Sequence, residues 1–222
     1  MKSIAKKKGW KRMIKLYISD IRNLQDPKDH LEMLEDLPKA RKEKILCFKL
    51  PSGRKQSLGA GLLLKKVLSD YGISQEKLKI GKNGKPEAEG IQFNLSHTDG
   101  LVVCAVGKLA VGCDVEKIKK APEKIAERYF TGNEAAYLKK CSADVYNEEF
   151  FRFWTTKEAY MKMTGEGLSL GLDQFEVRLD GPHISIYRGG KLENCYIKEY
   201  EIPGYKVTVC ARENEFDERM LE

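Results

Sequence analysis

No stretch of this 222-residue chain approaches the roughly 20 consecutive apolar residues that a membrane-spanning helix requires. Residues 1–12 are basic and lack the apolar core of a secretory signal, so neither a membrane partner nor export is expected. We expect residues 1–12 to be a disordered extension and the protein to work in the cytoplasm. With 41% hydrophobic and 33% charged residues, the chain is typical of a globular protein that buries a core.

Metal-binding cysteine patterns are missing as well. The six cysteines include no CxxC pair, and the three histidines are far apart, which argues against a zinc site. Most of the cysteines lie among apolar residues, so we interpret them as small buried side chains in a reducing compartment and not as disulfide partners. They are Cys47, Cys104, Cys113, Cys141, Cys195 and Cys210.

Positive charge exceeds negative charge, with 40 Lys and Arg against 33 Asp and Glu, a formal net charge of +7. This excess favours an anionic partner, which could be a nucleic acid, a phosphorylated cofactor or an acidic protein. Proteins that bind single-stranded nucleic acid interleave basic residues with exposed aromatics. Here the aromatics cluster in one core-like helical stretch, so no nucleic-acid partner is expected.

The order of hydrophobic patterns predicts an α+β fold, with antiparallel sheets and helices to one side. A strand begins at Met13, three strands occupy the middle of the chain, and four strand-like stretches close it. We expect Pro51-Ser52-Gly53 to break the helical region before the middle strands. The predicted helices are residues 27–37, 39–48, 54–71, 122–129, 131–140 and 147–164.

Two of the middle strands flank Gly107-Lys108, which we predict to be a two-residue hairpin turn, although its order is not the favoured Asn-Gly type. In that hairpin Asp99 would face Glu116. His97 would then enter the sheet beside the acidic residues that follow the turn.

Asp114 and Glu116 are two residues apart on a predicted strand, so their carboxylates point to the same face. Mg²⁺ prefers one or two protein carboxylates together with water and phosphate oxygens, and this pair can supply them. The alternative is an ordinary solvated strand end beside Lys117. His97 could likewise donate a hydrogen bond to a metal-bound pyrophosphate, or bond a neighbouring backbone carbonyl.

Residues 150–165 are the most informative stretch, because they are aromatic enough to belong to a core yet carry several charges. On a helix, Trp154, Glu158 and Lys162 stand four residues apart and line one stripe. A carboxylate and an ammonium one turn apart could bind a metal-bound phosphate and stabilise its leaving oxygen. The alternative is an ordinary ion pair worth about 0.2–0.5 kcal/mol.

Basic residues cluster earlier in the chain, with Arg41 and Lys44 on a predicted helix and Arg54 and Lys55 after the predicted break. They form either a phosphate cradle or a solvated face.

Glu134 belongs to the stretch Thr131-Gly132-Asn133-Glu134, which fits the capping box of a helix start. That structural role is sufficient to explain it, with a catalytic role as the alternative.

Six motifs follow one another in the chain, and the G-x-D-x-E and W-x-x-K-E-x-x-x-K blocks are together highly specific. They are Gly84-Lys85-Pro86, Phe93-Asn94-Leu95-Ser96-His97, Gly112-Cys113-Asp114-Val115-Glu116, Arg128-Tyr129-Phe130-Thr131-Gly132-Asn133-Glu134, Trp154-Thr155-Thr156-Lys157-Glu158-Ala159-Tyr160-Met161-Lys162 and Gly165-Glu166-Gly167-Leu168-Ser169-Leu170. This order resembles the Sfp-type 4'-phosphopantetheinyl transferases of the holo-carrier-protein synthase superfamily. The resemblance extends from residue 13 to about residue 212.

The resemblance implies a pseudo-dimer of two similar α+β halves, each an antiparallel sheet with packed helices, and a cofactor at their interface. We expect an N-terminal half over residues 13–110, a C-terminal half with the metal site over 111–212, and a charged tail over 213–222. One chain would hold both halves of the site, so a monomer is expected.

The resemblance also implies an activity. Members transfer the 4'-phosphopantetheine arm of coenzyme A to a serine hydroxyl of an apo acyl or peptidyl carrier protein. The other product is adenosine 3',5'-bisphosphate, and Mg²⁺, with Mn²⁺ as an alternative, is required. Carrier proteins present this serine at the start of a helix in acidic surroundings, which suits a basic enzyme. The motifs do not specify which carrier is used.

By the same resemblance, Asp114, Glu116 and Glu158 would hold the metal, and Glu158 would be the base for the incoming serine. Lys162 would stabilise the departing phosphate, and His97 would contact the pyrophosphate or the 3'-phosphate. The expected coenzyme A contacts are Arg41 and Lys44 at the 3'-phosphate, Lys85 and Pro86 beside the adenine, and Lys55, Ser96, His97, Asp114, Glu158 and Lys162.

One position departs from the family pattern. Gln56 stands where a basic residue usually precedes the Ser or Thr of the long helix. Lys55 or Arg54 would then reach the 3'-phosphate in its place, or affinity for that phosphate is reduced.

A different enzyme class, a Mg²⁺-dependent phosphodiesterase or nuclease, could use the same carboxylates to activate water. Such an enzyme would not need Lys162 or the Gly-Lys-Pro and Ser-His blocks in this order.

Overall fold

The computed structural model describes residues 13–81 and 85–221. The predicted basic extension, residues 1–12, lies outside the described residues. The fold is α+β, as predicted, with mainly antiparallel sheets. Within the described ranges no helix is long and apolar enough to cross a membrane.

The helices are α1 (Lys39–Leu46), α2 (Pro51–Asp70), α3 (Glu123–Tyr129), α4 (Gly132–Lys140) and α5 (Ala143–Thr164). Short 3₁₀ turns form at Leu31–Leu34, Gln75–Lys77 and Gly167–Ser169. The strands are β1 (Ile14–Asp20), β2 (Lys79–Ile80), β3 (Pro86–Glu87), β4 (Gln92–Thr98), β5 (Leu101–Gly107), β6 (Val111–Lys117), β7 (Phe175–Asp180), β8 (His183–Arg188), β9 (Lys191–Leu192), β10 (Tyr196–Ile202), β11 (Tyr205–Ala211) and β12 (Phe216–Leu221).

Two sheets form the centre of the molecule, the first in the order β12-β1-β5-β4 and the second in the order β10-β11-β6. Helix α2 packs on one face of the first sheet, and the opposite face of that sheet packs on the second sheet. Helix α5 covers the far side of the second sheet. The layers are therefore helix, sheet, sheet, helix. Strand β5 is buried along its whole length, which explains its unbroken apolar sequence.

The long helix α2 begins three residues earlier than predicted. Pro51-Ser52-Gly53 forms its first turn and does not break the helical region, with Leu50 as the N-cap residue. Proline suits this position because its fixed φ is helical and its missing N–H would have no partner there. The helix ends at Asp70, followed by Gly72 with a φ of +67°.

The predicted helix over residues 27–37 is wrong, because only the 3₁₀ turn Leu31–Leu34 forms there. Leucines at positions 31, 34 and 37 repeat every three residues, which is the period of a 3₁₀ helix. Upstream, the Asp26 carboxylate accepts the backbone N–H of Lys28, a local bond that competes with helix formation.

The hairpin predicted at Gly107-Lys108 does not form. Strand β5 pairs with β4 through the turn Asp99-Gly100, which places Thr98 opposite Leu101, and with β1 on its other side. Asp-Gly favours a hairpin because glycine accepts a positive φ, here +87° at Gly100. Strand β6 pairs with β11, so the chain crosses from the first sheet to the second at residues 108–110.

The predicted charged tail, residues 213–222, contains β12, which pairs in parallel with β1. Ile14 lies opposite Phe216 and Leu16 opposite Met220. Charged side chains are usual on such an edge strand because they discourage pairing with other molecules. Since β12 belongs to the first sheet, the division into halves at residue 110 does not account for it. The similarity of the two halves stays a prediction.

Candidate active site

Helix α5 lies directly against β6, and Gly112 makes that approach feasible. A Cβ atom at Gly112 would lie 2.1 Å from the Ala159 carbonyl oxygen and 2.4 Å from the Met163 backbone nitrogen. The close contact brings the α5 side chains over Asp114, two residues further along the strand. The glycine of the G-x-D-x-E block is therefore needed for packing.

We expect Gly112→Ala to lower the free energy of unfolding by about 1–3 kcal/mol, because the added methyl group must displace α5. In a chain of this length each kcal/mol corresponds to a fall in Tm of about 2–4 °C. Thermal unfolding measures the loss. Gly132→Ala is the matched control, since a Cβ at Gly132 meets nothing within 4 Å. Equal melting temperatures for the two variants would contradict this role of Gly112.

Asp114 is the centre of the site and is only 4% exposed. Its Oδ1 accepts hydrogen bonds from Ser96 Oγ at 2.7 Å and from Lys162 Nζ at 2.5 Å. Lys162 Nζ also donates to Ser96 Oγ at 3.2 Å. The buried Oδ2 of Asp114 has no hydrogen-bond partner among the described residues. A buried carboxylate oxygen without a donor is suited to bind a cation.

Glu116 and Glu158 lie near enough to Asp114 for its charge to act on both carboxyl groups. Burial and then the charge of Asp114 raise the pKa of both carboxyl groups. Thr98 Oγ1 donates to Glu116 Oε2 at 3.1 Å, and this hydrogen bond lowers the pKa of Glu116. The three predicted metal ligands thus repel one another.

The three carboxylates are not assembled into a finished metal site. Within residues 13–81 and 85–221 no group of three His, Cys, Asp or Glu side chains is placed to hold a metal ion. Mg²⁺ requires only one or two protein carboxylates, since water and substrate oxygens complete its shell. One or two of these carboxylates would therefore be enough for a divalent cation whose remaining ligands are water and phosphate oxygens.

Lys162 is held in the charged state. Burial disfavours its ammonium group, but the contact with Asp114 outweighs burial and raises the pKa. The side chain is still 27% exposed, so the ammonium can reach a ligand that binds beside Asp114.

His97 neighbours Ser96 on β4, so the two side chains point to opposite faces of the strand. The imidazole is accessible to solvent, yet the surrounding protein desolvates it enough to lower its pKa. The positive charges of Lys162 and Arg41 lower the pKa of His97 further. The lowered pKa favours the neutral imidazole at pH 7, and the ring lies within electrostatic reach of Asp114 and Arg41.

Strands β4 and β6 run side by side in the same direction, joined by side-chain hydrogen bonds. The predicted pairing of Asp99 with Glu116 is therefore wrong. Strand β4 instead lies beside Asp114 and Glu116. Polar side chains at every second position of β4 make the bonds, and that spacing was the overlooked sequence signal. The bonds run from Cys113 N–H to Asn94 Oδ1 (3.0 Å), from Ser96 Oγ to Asp114 Oδ1 (2.7 Å) and from Thr98 Oγ1 to Glu116 Oε2 (3.1 Å).

Arg41 lies between α1 and α2, where its guanidinium donates to the Ser57 carbonyl at 3.0 Å. Burial lowers its pKa, and its Nε is buried with no hydrogen-bond partner in the described part of the chain. Lys44, one turn further on α1, is exposed. Lys55 is half-buried on α2, close enough to Asp99 to contribute to the lowered pKa of that carboxyl group.

Pro86 begins β3 and Lys85 directly precedes it, while Gly84 lies outside the described residues. Burial lowers the pKa of Lys85, and the nearby groups Cys113 and Glu87 oppose that shift.

Arg54 is a structural residue and not a free cation for phosphate. Its guanidinium pairs with Asp26 at 2.5 Å, and its Nη1 donates to the carbonyls of Phe48 and Lys49. Of the two candidates to replace the basic residue missing at Gln56, only Lys55 stays available.

Glu134 has the predicted capping role and two further contacts. Thr131 and Glu134 form the capping box of α4, and Glu134 Oε1 accepts the Val177 N–H at 2.7 Å. The same oxygen lies 2.7 Å from Lys157 Nζ, and both side chains are almost fully buried, at 1% and 0% exposure. The sequence patterns did not indicate this internal ion pair.

Comparison with known proteins gives consistent matches. The family described as the 4'-phosphopantetheinyl transferase superfamily matches residues 110–210. The 4'-phosphopantetheinyl transferase Sfp of Bacillus subtilis is 35% identical over 187 residues, covering 80% of this chain and 83% of that protein. The 4'-phosphopantetheinyl transferase gsp of Aneurinibacillus migulanus is 35% identical over 158 residues, covering 69% and 67%. A holo-(acyl-carrier-protein) synthase from Bacillus anthracis, solved with CoA (3',5'-ADP), is 22% identical over 46% of this chain and 93% of that one, with a TM-score of 0.40.

Proposed function

Because the chain belongs to the 4'-phosphopantetheinyl transferase superfamily, as a member of its Sfp type, we propose that it transfers the 4'-phosphopantetheine arm of coenzyme A to a serine hydroxyl of an apo acyl or peptidyl carrier protein. The serine oxygen forms the new bond to phosphorus, the phosphoanhydride bond breaks, and adenosine 3',5'-bisphosphate leaves. The identity over 187 residues with the Bacillus subtilis enzyme carries this proposal. It also favours transfer over hydrolysis by a nuclease with the same carboxylates.

Asp114, Glu116 and Glu158 would hold Mg²⁺, with Mn²⁺ as the alternative. The unpartnered Oδ2 of Asp114 and the raised pKa values of both glutamates support this, because a cation would relieve their repulsion. When bound, the ion neutralises charge on the pyrophosphate.

Glu158 takes the proton of the attacking serine, directly or through water. Its raised pKa makes its carboxylate a stronger base than an exposed glutamate. Lys162, one turn along α5, is charged and donates a hydrogen bond to the departing phosphate oxygen.

His97 is neutral and offers its N–H to the pyrophosphate or the 3'-phosphate. The guanidinium of Arg41, with Lys44 and Lys55 nearby, would contact the 3'-phosphate. Ser96 positions Lys162 and Asp114, and Lys85 and Pro86 would border the adenine.

The enzyme would work as a monomer in the cytoplasm. A single chain supplies each of these groups, so a second copy is not needed. The chain's excess of positive charge would attract an acidic carrier.

Intact-protein mass spectrometry tests the reaction. An apo acyl carrier protein incubated with this protein, coenzyme A and Mg²⁺ is expected to gain one phosphopantetheine group, and EDTA is expected to prevent the gain. An unchanged mass for both an apo acyl and an apo peptidyl carrier would contradict the proposal. Release of adenosine 3',5'-bisphosphate from coenzyme A without any carrier would indicate hydrolysis instead.

A further inference from the structure

Two cysteines, Cys195 and Cys210, come together where strands β10 and β11 pack under helix α5. In the antiparallel pair Ile197 lies opposite Cys210, and Cys195 stands two residues before Ile197 on the same face. Cys210 belongs to the apolar cluster around α5, and Cys195 packs against that cluster. Both thiols are free. The fold therefore makes two free thiols diagonal neighbours on one face of a strand pair.

The two thiols differ in exposure. Cys195 is partly exposed, whereas Cys210 is fully buried. Cys210 Sγ donates a weak hydrogen bond to Met163 Sδ at 3.6 Å, which directs it towards the end of α5. An oxidant in solvent would therefore reach the sulfur of Cys195 first, with Cys210 behind it.

A cation lies beside Cys195. Arg212 Nη1 donates to the carbonyl of Asn194, the residue that precedes Cys195, and Arg212 Nη2 lies 3.8 Å from the Glu193 carboxylate. A hydrogen bond from Cys210 is the main cause that lowers the pKa of the Cys195 thiol, and the charge of Arg212 lowers it further. Burial and the charge of Glu193 act against this shift without cancelling it. Cys195 therefore holds more of the reactive thiolate at neutral pH than an ordinary cysteine.

Cys141 provides a comparison within the same chain. It is also partly exposed, yet burial and the charge of Glu149 raise the pKa of its thiol. Its Sγ donates to the Tyr137 carbonyl at 3.6 Å, and this hydrogen bond favours the protonated thiol. Of these two partly exposed cysteines, Cys195 is the one whose surroundings favour the thiolate.

The local backbone permits a bond between the two sulfur atoms. The Cys195 N–H donates to the Glu193 carbonyl at 3.0 Å, in a short turn that precedes β10. Because this turn and not the β-ladder holds Cys195, its sulfur can move towards Cys210 while the ladder hydrogen bonds stay intact. The pair lies beside the last turn of α5, where Met163 directly follows Lys162.

We propose that Cys195 and Cys210 are a redox-active pair that hydrogen peroxide converts reversibly into an intramolecular disulfide. The Cys195 thiolate attacks one peroxide oxygen, the O–O bond breaks, hydroxide leaves and Cys195 becomes a sulfenic acid. The Cys210 sulfur then attacks the Cys195 sulfur, the S–O bond breaks, and the hydroxyl group leaves with the Cys210 proton as water. The two thiols lose two electrons, which the peroxide gains.

Peptide mapping of the full-length protein tests the proposal. Trypsin cleaves after Lys and Arg, so the two cysteines fall in separate peptides, residues 192–198 and 207–212. After treatment with hydrogen peroxide these peptides are expected as one linked species, lighter than their sum by two hydrogen atoms, and dithiothreitol is expected to separate them. The mapping uses a Cys47→Ser background, because Cys47 is exposed and could link two molecules.

Two variants test the order of the steps. Cys195→Ser is expected to abolish the linked species and to leave Cys210 reduced, because the first thiolate is missing. Cys210→Ala is expected to leave Cys195 as a sulfenic acid that dimedone traps, because the resolving thiol is missing. In the unmodified protein, iodoacetamide is expected to alkylate Cys195 about tenfold faster than Cys141 at neutral pH.

Absence of the linked species would overturn the proposal, as would oxidation of Cys195 to a sulfinic acid with Cys210 still reduced. Equal alkylation rates for Cys195 and Cys141 would also overturn it, and this measurement needs no substitution that could prevent folding. A linked species that persists in Cys195→Ser would assign the disulfide to another cysteine. These measurements use neither coenzyme A nor a carrier, so their outcome is independent of the proposed function.

Discussion

Glu158→Gln is expected to lower phosphopantetheine transfer at least about 100-fold while the protein stays folded. A positioned general base contributes about 10²–10⁴-fold, and the same carboxylate is a predicted metal ligand. Burial and the charge of Asp114 already disfavour the charged form of Glu158, so the neutral amide should not reduce the free energy of unfolding. Mass spectrometry of the carrier measures transfer, and thermal unfolding measures stability.

Glu148→Gln is the control for this experiment, because Glu148 lies on the same helix but is 53% exposed and pairs with Lys206 at the surface. Exposed pairs contribute about 0–1 kcal/mol, so this variant should keep both its activity and its stability. Glu158→Gln with transfer within tenfold of the wild type would show that another group takes the serine proton.

Glu134→Gln is expected to lower the free energy of unfolding by about 3–5 kcal/mol, with the transfer rate of the folded fraction retained. The substitution leaves the ammonium of Lys157 buried without its counter-charge, and breaking one partner of a buried pair costs about this much. Glutamine keeps one acceptor oxygen, which can accept the Thr131 N–H of the capping box, so the loss reports the Lys157 ion pair together with the Val177 hydrogen bond to Oε1. Urea denaturation measures it, and the loss is large against a typical stability of about 5–15 kcal/mol.

Two further variants separate the contributions at this position. Thr131→Ala removes the cap alone and should cost about 1 kcal/mol. Glu134→Gln/Lys157→Met should recover much of the loss, because neutral replacements of a buried pair are often tolerated. A folded Glu134→Gln variant with transfer as low as that of Glu158→Gln would mean that Glu134 takes part in the reaction.

Local rules were sufficient for the parts of the site that lie on one element. A spacing of two placed Asp114 and Glu116 on one face of β6, and a spacing of four placed Glu158 and Lys162 on one side of α5. The capping box at Glu134 formed as predicted, because its bonds join residues three apart. Those interactions depend on short stretches of backbone that a pattern can specify.

Predictions that required a choice between distant partners were less successful. The hairpin turn was predicted at Gly107-Lys108, whereas the structure has it at Asp99-Gly100, which has the more favourable composition. The charged residues near the C-terminus gave no sign that β12 would pair with β1. Arg54 was considered for phosphate binding, but Asp26, 28 residues away in the chain, engages it.

The order of the hydrophobic patterns was enough to predict the α+β class, and the order of the motifs was enough to identify the enzyme family, because both are read along the linear chain. The contacts that make the site depend on packing. Gly112 lets α5 lie against β6, the polar side chains of β4 bond to β6, and Lys162 then reaches Asp114 across 48 residues of chain. The ion pair of Glu134 with Lys157 and the bonds of Arg54 to Asp26 and the Phe48 carbonyl have the same origin. These contacts depend on which helices and sheets pack their apolar faces together, and that packing is a property of the whole molecule.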